Sequence, residues 1–206
     1  MAGFRRSADG ATARFGAADA AIVRDLVGQV VELIGADERQ GEAGAGLDDD
    51  AAGWPDDSAG DQPEDSAGVS ADDLSAMIGL TENAELPDDP VLARLLPDAY
   101  RDDPEASAEF RRYTEQGLRS GKAAAARTVL ATLPPGGGRV HLSEREAQAW
   151  LRALNDVRLA LGVRLEVTED FDGQVADMKP DDPRAVYVGV YQWLAFLQET
   201  LVEALS

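Results

Sequence analysis

Arg111, Arg112, Arg119, Lys122 and Arg127 form the densest run of cations in the sequence. Arg112 and Arg119 are seven residues apart, so two turns of helix place them on one face. A stripe of this kind could hold an acidic protein surface or a nucleic-acid backbone. The cheaper account is a solvated face whose charges pair with Glu109, Glu115 or the acidic tract upstream, and cover by residues 37–90 of the same chain is a third option. Other reactive groups are sparse. His141 is the only histidine, and one histidine cannot build a histidine-rich metal site. No serine stands in a nucleophile-elbow context. The stretch "PPGGGRVHL" is glycine-rich without the spacing of a phosphate loop, and "GLRSGKAAAAR" lacks both the first glycine and a preceding strand. The paired carboxylates of Asp102-Asp103 or of Asp181-Asp182 could bind a divalent ion, but each doublet precedes a proline and a helix, where capping accounts for it. "EDFDGQVAD" lacks the ligand spacing and terminal glutamate of a calcium loop. No catalytic residue, cofactor site or metal site is expected, and the five cations are the candidate partner-binding residues.

The balance of charge narrows the function classes further. The net charge is −20. Between Asp37 and Pro90 lie 17 acids and one base, Arg39, so the remainder of the chain is close to neutral. A uniformly basic nucleic-acid binder is excluded, because phosphate contacts need clustered lysine and arginine. There is no cysteine, which removes disulfides, thiolate nucleophiles and thiol switches. No run of 18 apolar residues exists to span a membrane, and "MAGFRRSADG" lacks the apolar region of an export signal. The expected location is the cytoplasm.

The elements that would position these residues are mostly helices. "GFRRSADGATARF" predicts a hairpin turning at Asp9-Gly10, which must pack on something, with the following helix the obvious candidate. Ile22, Val23, Leu26, Val27, Val30, Leu33 and Ile34 recur at three- and four-residue steps, predicting a helix over 17–35 capped by Gly35, with Gly28 available for a close helix contact. Residues 36–71 are acidic and low in complexity, with Trp54 as a lone apolar anchor, and are expected to be disordered. A short helix is expected at Ser70–Leu80. Asp89 with Pro90 opens another, and Asp102 or Asp103 with Pro104 opens a third, broken or kinked at Gly121 and continuing to Leu133. Ser143 and Glu146 form a capping box ahead of a helix with a stripe of Ala147, Trp150, Leu151, Leu154, Val157 and Leu161, ending at Gly162. Arg145, Arg152 and Asp156 fall on its wetter side. "VRLEVTED" leaves a short strand or a helix extension open. Asp182 and Pro183 open a last helix, with Val186, Val190, Trp193, Leu194, Leu197, Leu201 and Leu205 as its buried face. The fold expected is mainly α, a compact multi-helix domain with a small N-terminal β-hairpin. Residues 1–35 contribute to its core, 36–71 are an insertion, and 72–206 are the helical remainder of the same domain.

Four blocks carry a family resemblance: "GFRRSADGATARF", "LLPDAYRDDPEASAEFRRYTEQGLRSGK", "EREAQAWLRALNDVRLALG" and "YQWLAFLQETLVEAL". Together they resemble an actinobacterial family described as AosR-type oxidative-stress transcription regulators, with genes often near that of an adaptor for the Clp protease. The likeness spans nearly the whole chain outside 36–71. It implies a non-enzymatic helical regulator that acts by binding the transcription machinery, a sigma factor or RNA polymerase. An adaptor or interaction protein linked to Clp proteolysis is the alternative. From the residues themselves, apolar surface on the last helix would favour partner binding or a homodimer. Direct nucleic-acid binding is weakly supported, because no helix-turn-helix is recognisable and the charge opposes it. The resemblance also implies a redox response through a cysteine pair, and there this chain departs from the family, because it has no cysteine.

Overall fold

In the computed structural model, the described residues are 2–35, 89–97, 104–179 and 182–206, with side chains from 114 onward in the helix that begins at Pro104. The expected insertion at 36–71, the helix at Ser70–Leu80, Trp54 and the capping aspartates Asp102, Asp103 and Asp181 lie outside them. The described elements are β1 (Arg5–Ser7), β2 (Gly10–Phe15), α1 (Ala17–Leu33), α2 (Pro90–Leu95), α3 (Pro104–Thr132), β3 (Gly138–Ser143), α4 (Glu144–Arg164), α5 (Phe171–Ala176) and α6 (Ala185–Leu205). The protein is mainly α, with a small antiparallel sheet.

The sheet has the order β1-β2-β3, so the hairpin is not alone. β3 pairs with β2 along its whole length, from Gly10 opposite Ser143 to Phe15 opposite Gly138. Val140 and Leu142 point inward while Arg139, His141 and Ser143 point out. The hairpin turns at Ala8-Asp9, with Ser7 opposite Gly10, and not at Asp9-Gly10. Gly10 instead starts β2 with φ of 144°, and a Cβ there would stand 2.3 Å from the Leu142 carbonyl oxygen. The glycine serves the close approach of β3, which is why the turn shifts by one residue.

The inner face of the sheet packs on α4 and α6, and not chiefly on α1 as the chain order suggests. Phe4, Phe15 and Trp150 form one aromatic cluster, with ring centroids 5.4 to 5.9 Å apart. Trp150 is fully buried, and its indole N–H donates to Thr132 Oγ1 at 2.8 Å, which removes the cost of hiding that donor. Beneath the sheet one continuous core draws on α1, α2, α3, α4 and α6, including Leu26, Val91, Val129, Leu154 and Leu197. A smaller cluster of Leu165, Phe171 and Val188 lies under α5, with Phe171 edge-on to Tyr191 at 5.6 Å.

Local signals set most boundaries. Asp89 Oδ1 accepts from the Val91 N–H at 2.7 Å, and Pro90 leads α2. The Ser143–Glu146 capping box forms as expected, and its hydrogen bonds hold the Glu146 carboxyl below its ordinary value. Gly35 closes α1 at φ 61°. Elsewhere the sequence signal misleads. α3 runs unbroken through Gly121, because the helix bonds on either side outweigh the roughly 1 kcal/mol that one glycine costs. Gly28 has nothing within 4 Å of where a Cβ would sit, so it makes no close helix contact. α4 passes Gly162 and stops at Arg164. Glu166 then takes a positive φ of 54° and the Val167 N–H donates back to the Gly162 carbonyl, giving a turn where a strand or longer helix was open. α6 starts at Ala185, after a turn in which Asp182 Oδ1 accepts from the Arg184 N–H at 2.8 Å. Its Val186 is 47% exposed and so leaves the buried face, which starts at Val188.

Candidate functional site

α3 and α4 run antiparallel, and the surface between them is a groove of about 940 Å³. Its floor is small: Gly117, Gly121, Ala124 and Ala125 from α3, with Ala149 from α4. Small side chains on both helices leave a channel that longer ones would fill. Lys122 and Asp156 meet on its wall, and Arg145 and Arg152 stand exposed along the α4 side.

The five cations named from sequence do not act as one stripe. Arg111 and Arg112 sit in α3, but their side chains are outside the described residues. Arg119 is only 7% exposed and turns into the protein. Its Nε donates to Glu115 Oε1 at 2.8 Å, and its NH1 donates to the Ile34 carbonyl oxygen at the C-terminus of α1. Lys122 Nζ lies 2.5 Å from Asp156 Oδ1 across the groove wall. Arg127 is half-buried on α3. The structure thus brings Lys122 to the groove and gives Arg119 to the helix packing. The seven-residue spacing identifies a shared face but not whether that face is wet.

Asp156 corrects a second expectation. The helix pattern puts it with Arg145 and Arg152 on the wetter side of α4, yet it is 4% exposed. Burial raises its pKa above the ordinary aspartate value of 3.8, and the hydrogen bond and charge of Lys122 only partly offset this. No apolar periodicity on α4 could reveal the pair, because the partner comes from the facing helix.

Other sequence candidates are scattered. His141 is exposed on the outer face of β3, far in sequence from the aspartate doublets. The "EDFDGQVAD" stretch forms the short helix α5. Among the described residues, no three of His, Asp and Glu converge as metal ligands would. Exposed apolar side chains on α6 are Val186, Phe196 and Val202, whose steps along the helix put them on different faces, so they form no single patch. No helix of the described residues is long and apolar enough to cross a membrane.

The sequence matches named relatives over much of this architecture. A Mycobacterium tuberculosis (strain H37Rv) protein named "Oxidative stress regulator AosR" is 41% identical over 146 residues, covering 64% of this chain and 66% of its own length. The Mycobacterium bovis protein of the same name matches over the same shares. A Mycobacterium leprae relative is 41% identical over 148 residues, 65% of this chain and 67% of its own. The alignment with the first two thus spans just under two thirds of their length. No solved structure matches the chain. A family model described as a domain of unknown function, DUF2017, matches residues 1–205, and the chain belongs to that family.

Proposed function

We propose that the protein is a non-enzymatic cytoplasmic regulator of the oxidative-stress response that acts by binding a component of the transcription machinery, a sigma factor or RNA polymerase. The observation that carries this reading is the 41% identity to proteins named as oxidative stress regulators. The groove between α3 and α4 supports it, since a long channel floored by glycine and alanine and edged by Arg145 and Arg152 suits a helix or strand of a partner better than a small substrate. Arg111, Arg112 and Arg127 of α3 remain candidate partner-binding residues, with Lys122 at the groove wall. With no cysteine in the chain, no thiol of its own carries an oxidant signal.

The test is transcriptional. Deletion of the gene is expected to change the set of transcripts induced by peroxide, with restoration by the wild-type copy. An induced set identical in the deleted and parent strains would remove the regulatory reading.

A further inference from the structure

The outer face of the three-stranded sheet has a different character from the rest of the molecule. Arg5, Thr12 and His141 stand in one row across β1, β2 and β3, and Arg14 stands opposite Arg139 in the next outward-facing row. The rows are two residues apart along the strand, about 7 Å. All five residues line one hollow of about 550 Å³, whose far wall is Phe196 and Thr200 of α6. Phe196 is 42% exposed and lies against Gly3, so an apolar surface adjoins the guanidinium groups.

Among the described residues, the Arg5, Arg14 and Arg139 guanidinium groups have no hydrogen-bond or ion-pair partner. Several guanidinium groups elsewhere are held, while Arg94, Arg145 and Arg152 stand exposed singly on helices. Arg24 and Arg119 bond helix carbonyls, Arg158 bonds Gln198 and lies over the Tyr191 ring, and Arg164 and Arg184 pair with Asp89 and Asp182. Among the described residues, no carboxylate pairs with Arg5, Arg14 or Arg139. In a chain of net charge −20, these three guanidinium groups on one face form a local basic site with no carboxylate partner among the described residues.

We propose that this sheet face docks an acidic, extended segment of a partner protein, with carboxylates held by Arg5, Arg14 and Arg139 and an apolar side chain seated on Phe196. Charge complementarity selects the occupant. A guanidinium fork takes a carboxylate through two parallel N–H donors. An extended peptide repeats its side chains on one side every two residues, the same interval as the arginine rows. A nucleic-acid strand fits less well: three cations release few counterions, the net charge repels a long polyanion, and one phenyl ring is a poor stacking platform. The inference goes beyond the regulatory reading and needs no transcriptional role.

Fluorescence anisotropy tests it with the full chain. The probe is a short labelled peptide with glutamate at alternate positions and a central leucine, and a labelled single-stranded oligonucleotide is run beside it. Binding of the peptide is expected to weaken with added salt and to fall at least roughly tenfold in R5Q/R14Q/R139Q, as loss of charge-assisted bonds requires. R94Q, on the exposed side of α2, is expected to bind as the wild type does. F196A is expected to weaken this peptide but not one in which serine replaces the leucine. Thermal unfolding of each variant checks that the outward substitutions leave the fold intact. Failure of the wild type to bind the peptide, equal binding by the triple variant, or tighter binding of the oligonucleotide would each overturn the proposal.

Discussion

Two arginines tie α1 to α3 in a reciprocal way. Arg24 of α1 donates through NH1 to the Leu130 and Leu133 carbonyls at 2.5 and 2.6 Å, where α3 ends. Arg119 of α3 donates to the Ile34 carbonyl, where α1 ends. Each antiparallel helix thereby receives a cation at its negative C-terminal end from the other. Arg24→Met and Arg119→Met should each cost about 1.5–3 kcal/mol in urea unfolding, since each leaves helix carbonyls without a charged donor. A loss of only a few tenths would show that water replaces them freely. Asp156 makes the opposite prediction about pH. Its folded pKa is raised, so the folded state holds the proton more tightly than the unfolded one. This group's contribution is therefore most favourable below 3.8 and declines as pH rises through the window up to the raised value. Asp156→Asn removes that dependence, so the stability of wild type relative to the variant should fall across the window, and a constant difference would contradict the buried placement. Neither arrangement was legible in sequence. Arg24, Arg119, Lys122 and Asp156 look like ordinary surface charges until the facing helix is known.

At the scale of elements, the signals that worked were local and chemical. Proline after aspartate located the start of α2, and the Ser143–Glu146 box located the start of α4. Both act within one turn, so no tertiary information is needed. β3 is unassigned from sequence although Val140 and Leu142 alternate with Arg139, His141 and Ser143, because so short an alternation between glycines and a helix cap carries little strand signal. Strand identity depended on β2 lying alongside, a contact more than a hundred residues distant in the chain. The same join explains one glycine. Gly137 has φ of 74°, and a Cβ there would lie 2.7 Å from the backbone of Phe15 and Gly16. Gly137→Ala should destabilise by more than about 1 kcal/mol, read as a lowered midpoint of thermal unfolding, because both the torsion and the close approach resist a side chain. Gly121→Ala, with open space and a helical backbone, should instead be neutral or stabilising. Equal effects at the two positions would contradict the assigned roles.

Across the whole molecule, helical periodicity revealed the class of fold because α1, α4 and α6 each bury one continuous stripe in a shared core. The candidate site was only partly legible. The sequence pointed to α3, where the groove does run, but a groove needs two walls, and α4 supplied the second together with Asp156. Family membership was legible through long blocks of likeness more than through any reactive constellation. The family match over residues 1–205 and the 41% identity to oxidative stress regulators agree with that route. The absence of cysteine separates this chain from a thiol switch of its own. The most direct test is affinity capture of the full chain from its native cell, with bound proteins identified by mass spectrometry before and after peroxide. The account predicts recovery of a sigma factor or RNA polymerase. Recovery of Clp components without polymerase would contradict it and establish the adaptor role in its place.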